Sequence, residues 1–205
     1  ESLSLSNVLL ITAETYSKFM HPRDRSVRTI FGDAAAATLV SGVESDEPLV
    51  GPFVFGTDGR GAENLIGPAG GMRRPVSADT SVVMTDTSGN QRSLNNLYMN
   101  GPEIFNFTLK AVPSAVKRLL ERAGLGADEV DYYVLHQANR FMLDRLRDKL
   151  KIEPRRFCLE MEDCGNTVSS TIPIAIARSL RDGRLRPEAR VMCVGFGVGY
   201  SWAAG

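Results

Sequence analysis

Apolar runs and apolar stripes alternate along the second half of the chain, and this alternation predicts strands separated by helices. Short continuous apolar runs are typical of strands buried on both faces, and apolar residues at every third or fourth position are typical of helices. The pattern predicts strands over 130 to 135, 156 to 160, 190 to 196 and 200 to 203. It predicts a helix with an apolar stripe from Val112 to Ala123 that Gly124 closes, and further helices over 140 to 150 and 170 to 180. Prolines at 102, 113 and 173 suit first-turn positions. Alternation of this kind predicts a mixed, mainly parallel sheet with helices on both faces.

The first half of the chain is less regular. A nearly continuous apolar run over 7 to 14 predicts a strand covered on both faces, and a second strand is predicted over 34 to 40. Glycines and prolines recur between residues 43 and 100, which predicts short strands over 49 to 55 and 81 to 85 joined by long loops. Loops of this length in a compact domain are often functional.

Charge and composition exclude several function classes. The chain of 205 residues has 24 basic and 24 acidic residues, so a chain-wide basic surface for nucleic acid is excluded. Its apolar runs fall short of the roughly 18 residues that a membrane span needs. Three cysteines without regular spacing indicate free thiols in a reducing compartment, and we expect the cytoplasm. Because the chain opens at Glu1 rather than Met, we expect a trimmed pre-sequence or the later part of a longer protein.

His136 and Asn166 each follow a predicted strand, at the edge of the sheet where chemistry gathers in such folds. His136 could donate a hydrogen bond or move a proton, or it could merely precede a helix capped by Asn139. The Asn166 amide could stabilise negative charge on an oxygen, or it could form a turn. Since successive strand ends are neighbours, we expect both side chains to meet above one sheet.

The segment Gly195-Phe196-Gly197-Val198-Gly199 follows the last long apolar run. A dinucleotide-binding loop would need a helix after it, and only six residues remain, so that interpretation is rejected. The glycines more plausibly let the backbone bend or pass close to a ligand. Exposed backbone N–H groups in this segment could contribute to an oxyanion hole.

The cysteines are weak nucleophile candidates. Cys158 and Cys193 fall in predicted buried strands, and Cys164 adjoins the turn at Asn166. The spacing of cysteine and histidine fits no metal site, so none is predicted.

Two basic groups stand out against the neutral total. Residues 140 to 156 have seven basic against three acidic residues, which indicates a solvated helix face or a docking surface for an acidic partner. The second group, Arg23, Arg25 and Arg28, suits contacts with phosphate.

Four motifs in fixed order carry a resemblance to a known family. They are Phe31-Gly32-Asp33-Ala34, His136-Gln137-Ala138-Asn139, Gly165-Asn166-Thr167 and the glycine-rich segment over 195 to 199. Together they resemble the β-ketoacyl-acyl carrier protein synthase III family of the thiolase superfamily, over essentially the whole chain. The resemblance implies a thiolase-like α/β fold in an α-β-α-β-α arrangement. This chain would then hold the end of the first half, over 1 to 100, and the complete second half, over 101 to 205.

The resemblance also implies a function. Members load an acyl group from coenzyme A onto a cysteine and condense it with malonyl-acyl carrier protein, with loss of carbon dioxide. His136 and Asn166 would be catalytic, through hydrogen bonds to the malonyl thioester carbonyl. No cofactor is implied, since coenzyme A enters as a substrate thioester, and a homodimer is expected. The residues implied to bind substrate are Arg25, Asn139, Phe196, Gly197 and Val198, and those implied to dock the carrier protein are Arg140, Arg145, Arg147 and Lys149.

Two departures from the family pattern change the expectation. The family's nucleophilic cysteine lies in an Ala-Cys-x-Gly-type segment before the strand over 7 to 14, and this sequence has none. We therefore expect the chain alone to be inactive in condensation, to expose an apolar surface and to associate. The second departure is Val198, which stands where many members have glycine.

Two other functions remain as alternatives to condensation. One is acyl transfer to an alcohol or amine on the same scaffold, and the other is a non-catalytic unit for dimerisation or carrier binding.

Overall fold

A computed structural model describes residues 6–205 of the chain. Glu1, on which the expectation about the start of the chain depends, lies outside the described residues. The strands are β1 (Asn7–Glu14), β2 (Ala34–Ser41), β3 (Val54–Thr57), β4 (Leu65–Ile66), β5 (Met84–Thr85), β6 (Gln91–Arg92), β7 (Tyr98–Met99), β8 (Tyr132–Leu135), β9 (Val191–Gly197) and β10 (Ser201–Ala204). The α-helices are α1 (Arg25–Arg28), α2 (Gly101–Ala123), α3 (Arg140–Leu150) and α4 (Thr171–Arg181).

A four-stranded sheet in the order β3-β10-β9-β8 forms the centre of the fold. β8 and β9 run parallel, with Leu135 opposite Val194, and the other two pairs are antiparallel. The sheet is mixed as predicted, but the prediction that it is mainly parallel is wrong for the described residues. The link between β9 and β10 is too short for a crossover, so β10 returns as a hairpin.

Helices cover both faces of this sheet. Tyr133 and Leu135 of β8 pack in one core with apolar side chains of α2 and α3, including Val116 and Leu143. The alternate β8 residues Tyr132 and Val134 pack in a second core with Ala175 of α4. Because side chains alternate across a strand, one buried strand contributes to both cores.

Helix α2 has Pro102 in its first turn, as predicted, but it continues through Pro113, so the prediction of a first-turn position for Pro113 is wrong. Proline lacks the N–H that would donate to the carbonyl of Leu109 four positions earlier. The Lys149 Nζ atom of α3 donates to that Leu109 oxygen at 2.8 Å. A side chain from the neighbouring helix therefore replaces the missing backbone hydrogen bond.

Two other predictions fail. Residues 156 to 160 form no strand, because the pairing with β8 stops at one isolated bridge between Tyr133 and Phe157. β1 and β2 form a separate antiparallel pair, and β1 is not covered on both faces by described residues. Leu9 and Ile11 are 60% and 65% exposed. An apolar surface is exposed as expected, and association through it stays a prediction.

None of the helices among residues 6–205 combines the length and the hydropathy needed to cross a bilayer.

Candidate active site

His136 lies directly after β8, above the carboxyl end of the strand. Its backbone N–H donates to the Val194 carbonyl at 2.8 Å and so extends the parallel pairing of β8 with β9 by one residue. The ring of Phe196, two residues further along β9, meets the imidazole edge-on with centroids 5.2 Å apart. The position of the imidazole therefore follows from the register of two buried strands.

Asn166 lies in the loop before α4 and is held by the segment that follows α1. Its backbone N–H donates to Ile30 and its carbonyl accepts from the Gly32 N–H, both at 2.9 Å. The two segments approach so closely that a Cβ atom on Gly32 would clash with the backbone oxygen of Cys164. Gly165 is also required, since its φ of 64° is in the left-handed region.

The amide of Asn166 has a defined orientation. Its Oδ1 atom accepts from the Val168 backbone N–H at 2.9 Å. Because a backbone N–H can only donate, the oxygen faces Val168 and the NH₂ group is directed elsewhere. The described residues offer this Nδ2 atom no acceptor, so it remains free to donate to a bound molecule.

The imidazole of His136 is held through one nitrogen. Its Nδ1 atom lies 2.7 Å from the Thr171 hydroxyl oxygen, at the start of α4. Burial lowers the pKa of His136 to about 4, and a contact with the Val168 carbonyl opposes this shift only in part. The ring is therefore neutral at pH 7, with one N–H and one lone pair.

Both side chains line one cavity of about 670 Å³. Its walls are mostly apolar and include Phe55, Ile104 and Trp202, so a long apolar group could be bound beside the two polar ones. The predicted site residues that line this cavity are His136, Asn139, Asn166, Phe196, Gly197 and Val198. Arg25 does not line it, and its guanidinium makes no polar contact with the described residues.

Asn139 has the structural role that the sequence also allowed. Its side chain accepts a hydrogen bond from the Met142 N–H at 2.8 Å and so caps the start of α3. It also lines the cavity. The two interpretations of Asn139 are therefore compatible.

The three cysteines do not line the cavity. Burial raises the pKa of the Cys158 and Cys164 thiols, and it raises that of Cys193 to about 11. A protonated thiol is a poor nucleophile. Within the described part of the chain, no cysteine is placed to accept an acyl group in the cavity.

The predicted docking residues differ in how strongly they are already paired. Arg140 pairs with Asp144 and Glu162, and Arg147 pairs with Asp144 and Asp148. The Lys149 Nζ atom donates a hydrogen bond to the Leu109 carbonyl. Arg145 forms no ion pair with the described residues and lies over the exposed ring of Phe141.

Sequence reasoning missed Thr171 and most of the apolar wall. Thr171 contacts a residue 35 positions away, and nothing in a helix-start threonine signals that contact. Phe55 and Trp202 reach the cavity because β3 pairs with β10, with Trp202 opposite Gly56. Only a correct prediction of that pairing could have found them.

The layered arrangement, with an imidazole and a carboxamide at one cavity, defines a thiolase-like α/β protein. Two family models match: residues 1–59 match 3-oxoacyl-[acyl-carrier-protein] synthase III, and residues 120–205 match the C-terminal part of the same family. The chain belongs to the 3-oxoacyl-[acyl-carrier-protein] synthase III family.

Individual relatives agree with this assignment. The chain is 35% identical over 198 residues to β-ketoacyl-[acyl-carrier-protein] synthase III of Caldanaerobacter subterraneus subsp. tengcongensis, covering 97% of the chain and 57% of that protein. A crystal structure of a 3-oxoacyl-(acyl-carrier-protein) synthase III is 55% identical with a TM-score of 0.95, over 97% of this chain and 59% of that one. One from Burkholderia xenovorans LB400 is 40% identical with a TM-score of 0.80, over 97% and 55%. The chain thus spans little more than half the length of the curated relatives it matches.

Proposed function

We propose that this chain is part of an acyltransferase that condenses an acyl group from acyl-coenzyme A with malonyl-acyl carrier protein. The product is a 3-oxoacyl thioester for the synthesis of fatty acids or related compounds. The observation that carries the proposal is the neutral imidazole of His136 and the amide of Asn166, which line one largely apolar cavity. The proposal concerns the protein at the length of its curated relatives.

The mechanism follows from where negative charge develops. When the malonyl carbon–carboxylate bond breaks, its electron pair moves into the thioester carbonyl and carbon dioxide leaves. The resulting enolate oxygen accepts hydrogen bonds from the His136 Nε2–H and the Asn166 Nδ2–H, which stabilise it in a cavity with mostly apolar walls. The enolate carbon then attacks the enzyme-bound acyl thioester, and the thiolate leaves. A neutral imidazole suits this role because it donates without transferring its proton.

Other residues would bind the substrates. Asn139, Phe196, Gly197 and Val198 would shape the acyl site, where the Val198 side chain reduces the space available. Arg25 would contact a coenzyme A phosphate with its free guanidinium. The division at residue 100, the homodimer and the cytoplasmic location stay predictions.

The acyl-accepting thiol is proposed to come from outside these residues, since the three cysteines lie away from the cavity. The chain alone should then remain unmodified when it is incubated with an acyl-coenzyme A. Mass spectrometry measures this directly. Stoichiometric acylation of the chain would contradict the proposal.

Arg145 is the strongest candidate for carrier-protein docking, because it is the one of the four predicted residues without a polar partner among the described residues. An R145A substitution should weaken carrier binding about fivefold, which corresponds to one exposed ion pair. R147A is the matched control. It should weaken carrier binding less, because Arg147 is already paired with Asp144 and Asp148. Calorimetric titration with the carrier protein measures both.

Carbon dioxide release from a malonyl thioester tests the proposed reaction. In the protein at full length, H136A and N166A should each lower the rate about a hundredfold, the usual cost of removing one oxyanion donor. H21A and N106A, at residues away from the cavity, are the matched controls and should change little. Acyl transfer to an alcohol or amine without carbon dioxide would favour the alternative enzyme, and binding without turnover would favour a non-catalytic unit.

A further inference from the structure

The Thr171 hydroxyl occupies a position that decides which nitrogen of His136 has the proton. Its oxygen lies 2.7 Å from the His136 Nδ1 atom and 2.9 Å from the Val168 carbonyl oxygen. A hydroxyl has one proton and can donate to only one of these two acceptors at a time. The choice fixes the role of Nδ1, and therefore also the role of the Nε2 atom.

Two arrangements are possible for the neutral ring. If Thr171 donates to Nδ1, the proton of the imidazole is on Nε2. If Thr171 donates to the Val168 carbonyl, Nδ1–H donates to the hydroxyl oxygen and Nε2 has a lone pair. The hydrogen bond to Thr171 is formed by Nδ1, so the state of Nε2 is what a molecule in the cavity would meet. Only the first arrangement offers that molecule a donor.

The partners of the Val168 carbonyl favour the first arrangement. The separation of 2.7 Å is a hydrogen-bond distance for either direction between Nδ1 and the hydroxyl, so the distance does not choose between the two. The Val168 carbonyl loses little when the hydroxyl turns away, because it already accepts from the Thr171 backbone N–H. Its hydrogen-bonding capacity is therefore met without the side chain.

The backbone of Val168 connects this contact to Asn166. Val168 has a φ of 54°, an unfavourable value for a β-branched residue. In this conformation its N–H orients the Asn166 amide and its carbonyl lies at Thr171. One strained residue therefore contacts the groups that position both donors, which is typical of a functional site.

We propose that Thr171 is a positioning residue that selects the Nε2–H tautomer of His136 by donating its hydroxyl proton to Nδ1. The inference deepens the proposed function, since it explains why the imidazole would act as a donor toward a thioester oxygen rather than as a base. It also assigns a role to the first residue of α4. Thr171 itself does not touch the reacting atoms.

The T171V substitution removes the hydroxyl and keeps the shape of the side chain. The polar group that remains is the Val168 carbonyl, which contacts the imidazole and lies 2.9 Å from the Thr171 hydroxyl oxygen, and a carbonyl can only accept. The ring should then place its proton on Nδ1, and the tautomer preference should invert. T171S retains the hydroxyl and should behave as the unmodified protein does.

Nitrogen-15 NMR of the imidazoles at pH 7 measures the tautomer directly, and an H21Q variant assigns the second histidine. The unmodified protein and T171S should favour Nε2–H by about tenfold, which corresponds to one hydrogen bond. T171V should favour Nδ1–H, and T108V should change nothing, because the buried Thr108 hydroxyl has no partner. Nδ1–H in the unmodified protein would overturn the proposal without any variant, and so would an unchanged ratio in T171V.

Activity gives a separate readout in the protein at full length. T171V should lower carbon dioxide release from a malonyl thioester about tenfold through kcat, with KM little changed and T171S close to normal. Absence of decarboxylation in the unmodified protein would contradict the proposed function and leave the NMR result standing. An unchanged tautomer with normal decarboxylation in T171V would contradict the role of Thr171 alone.

Discussion

β1 and β8 are both continuous apolar strands, yet their surroundings are opposite. All four residues of β8, from Tyr132 to Leu135, are buried between α2 and α3 on one face and α4 on the other. Among residues 6–205, β1 pairs only with β2, and Leu9 and Ile11 are exposed. The comparison teaches that an apolar run predicts a strand but does not predict what covers it. The candidate site lies at the end of β8, the strand that is packed on both faces.

The largest expected difference between the two regions is in stability. Leu143 of α3 is fully buried in the core that includes Leu135, whereas Ile11 of β1 is 65% exposed. L143A should lower the free energy of unfolding by about 3 kcal/mol, because it leaves a cavity in a packed core. I11A, the matched variant on β1, should cost less than about 0.5 kcal/mol.

Urea unfolding of both variants measures this difference. Equal losses would mean that β1 is covered in solution, for example by a second copy of the chain. The contrast between the two strands would then be wrong.

A smaller effect is expected from His136 on the free energy of unfolding as pH falls. The pKa of His136 is lowered from 6.5 to about 4 by burial, so the unfolded chain binds more protons between these values. Stability should therefore be lost as pH falls from about 6.5 to about 4, by at most about 2 kcal/mol at pH 5. Urea unfolding at pH 7 and pH 5 should show that H136Q loses less than the unmodified protein.

His21 lies in the loop after β1, away from the cavity, and H21Q is the control for this experiment. The loss of stability of H21Q between pH 7 and pH 5 is the reference with which the loss of H136Q is compared. The same dependence in H136Q would show that groups other than His136 cause it.

The smallest effect concerns the contact between α2 and α3. K149A should lower the free energy of unfolding by about 1 kcal/mol, because it leaves the Leu109 carbonyl without a donor. In a P113A background the restored N–H can donate to Leu109, and K149A should then cost almost nothing. Urea unfolding of the four proteins gives the coupling, and identical costs of K149A in both backgrounds would contradict this explanation of Pro113.

Local patterns predicted the elements whose signals are complete in the sequence. Helix α3 was predicted with its observed bounds, because an N-cap asparagine and spaced leucines mark it. The predicted strand over 156 to 160 and the mainly parallel direction of the sheet failed, because both depend on which segments pair. Long-range pairing is set by tertiary packing, which local propensity does not encode.

The candidate site was likewise predictable only where its signals are local in the sequence. His136 and Asn166 were found because each follows an apolar segment that leads to one edge of the sheet, and both line the cavity. Thr171 was not found, because its contact depends on the conformation of Val168 in the preceding turn. Strained backbone of this kind cannot be inferred from residue preferences, since those preferences oppose it.

The central claim is that His136 and Asn166 stabilise one developing oxyanion together. A double-mutant cycle in the protein at full length, with carbon dioxide release from a malonyl thioester as the rate, tests it most directly. H136A and N166A should each cost about a hundredfold, and the double variant should lose no more than about tenfold further, since groups that act as a unit are not additive. Losses that multiply to about ten-thousandfold, or single variants with normal rates, would contradict the claim.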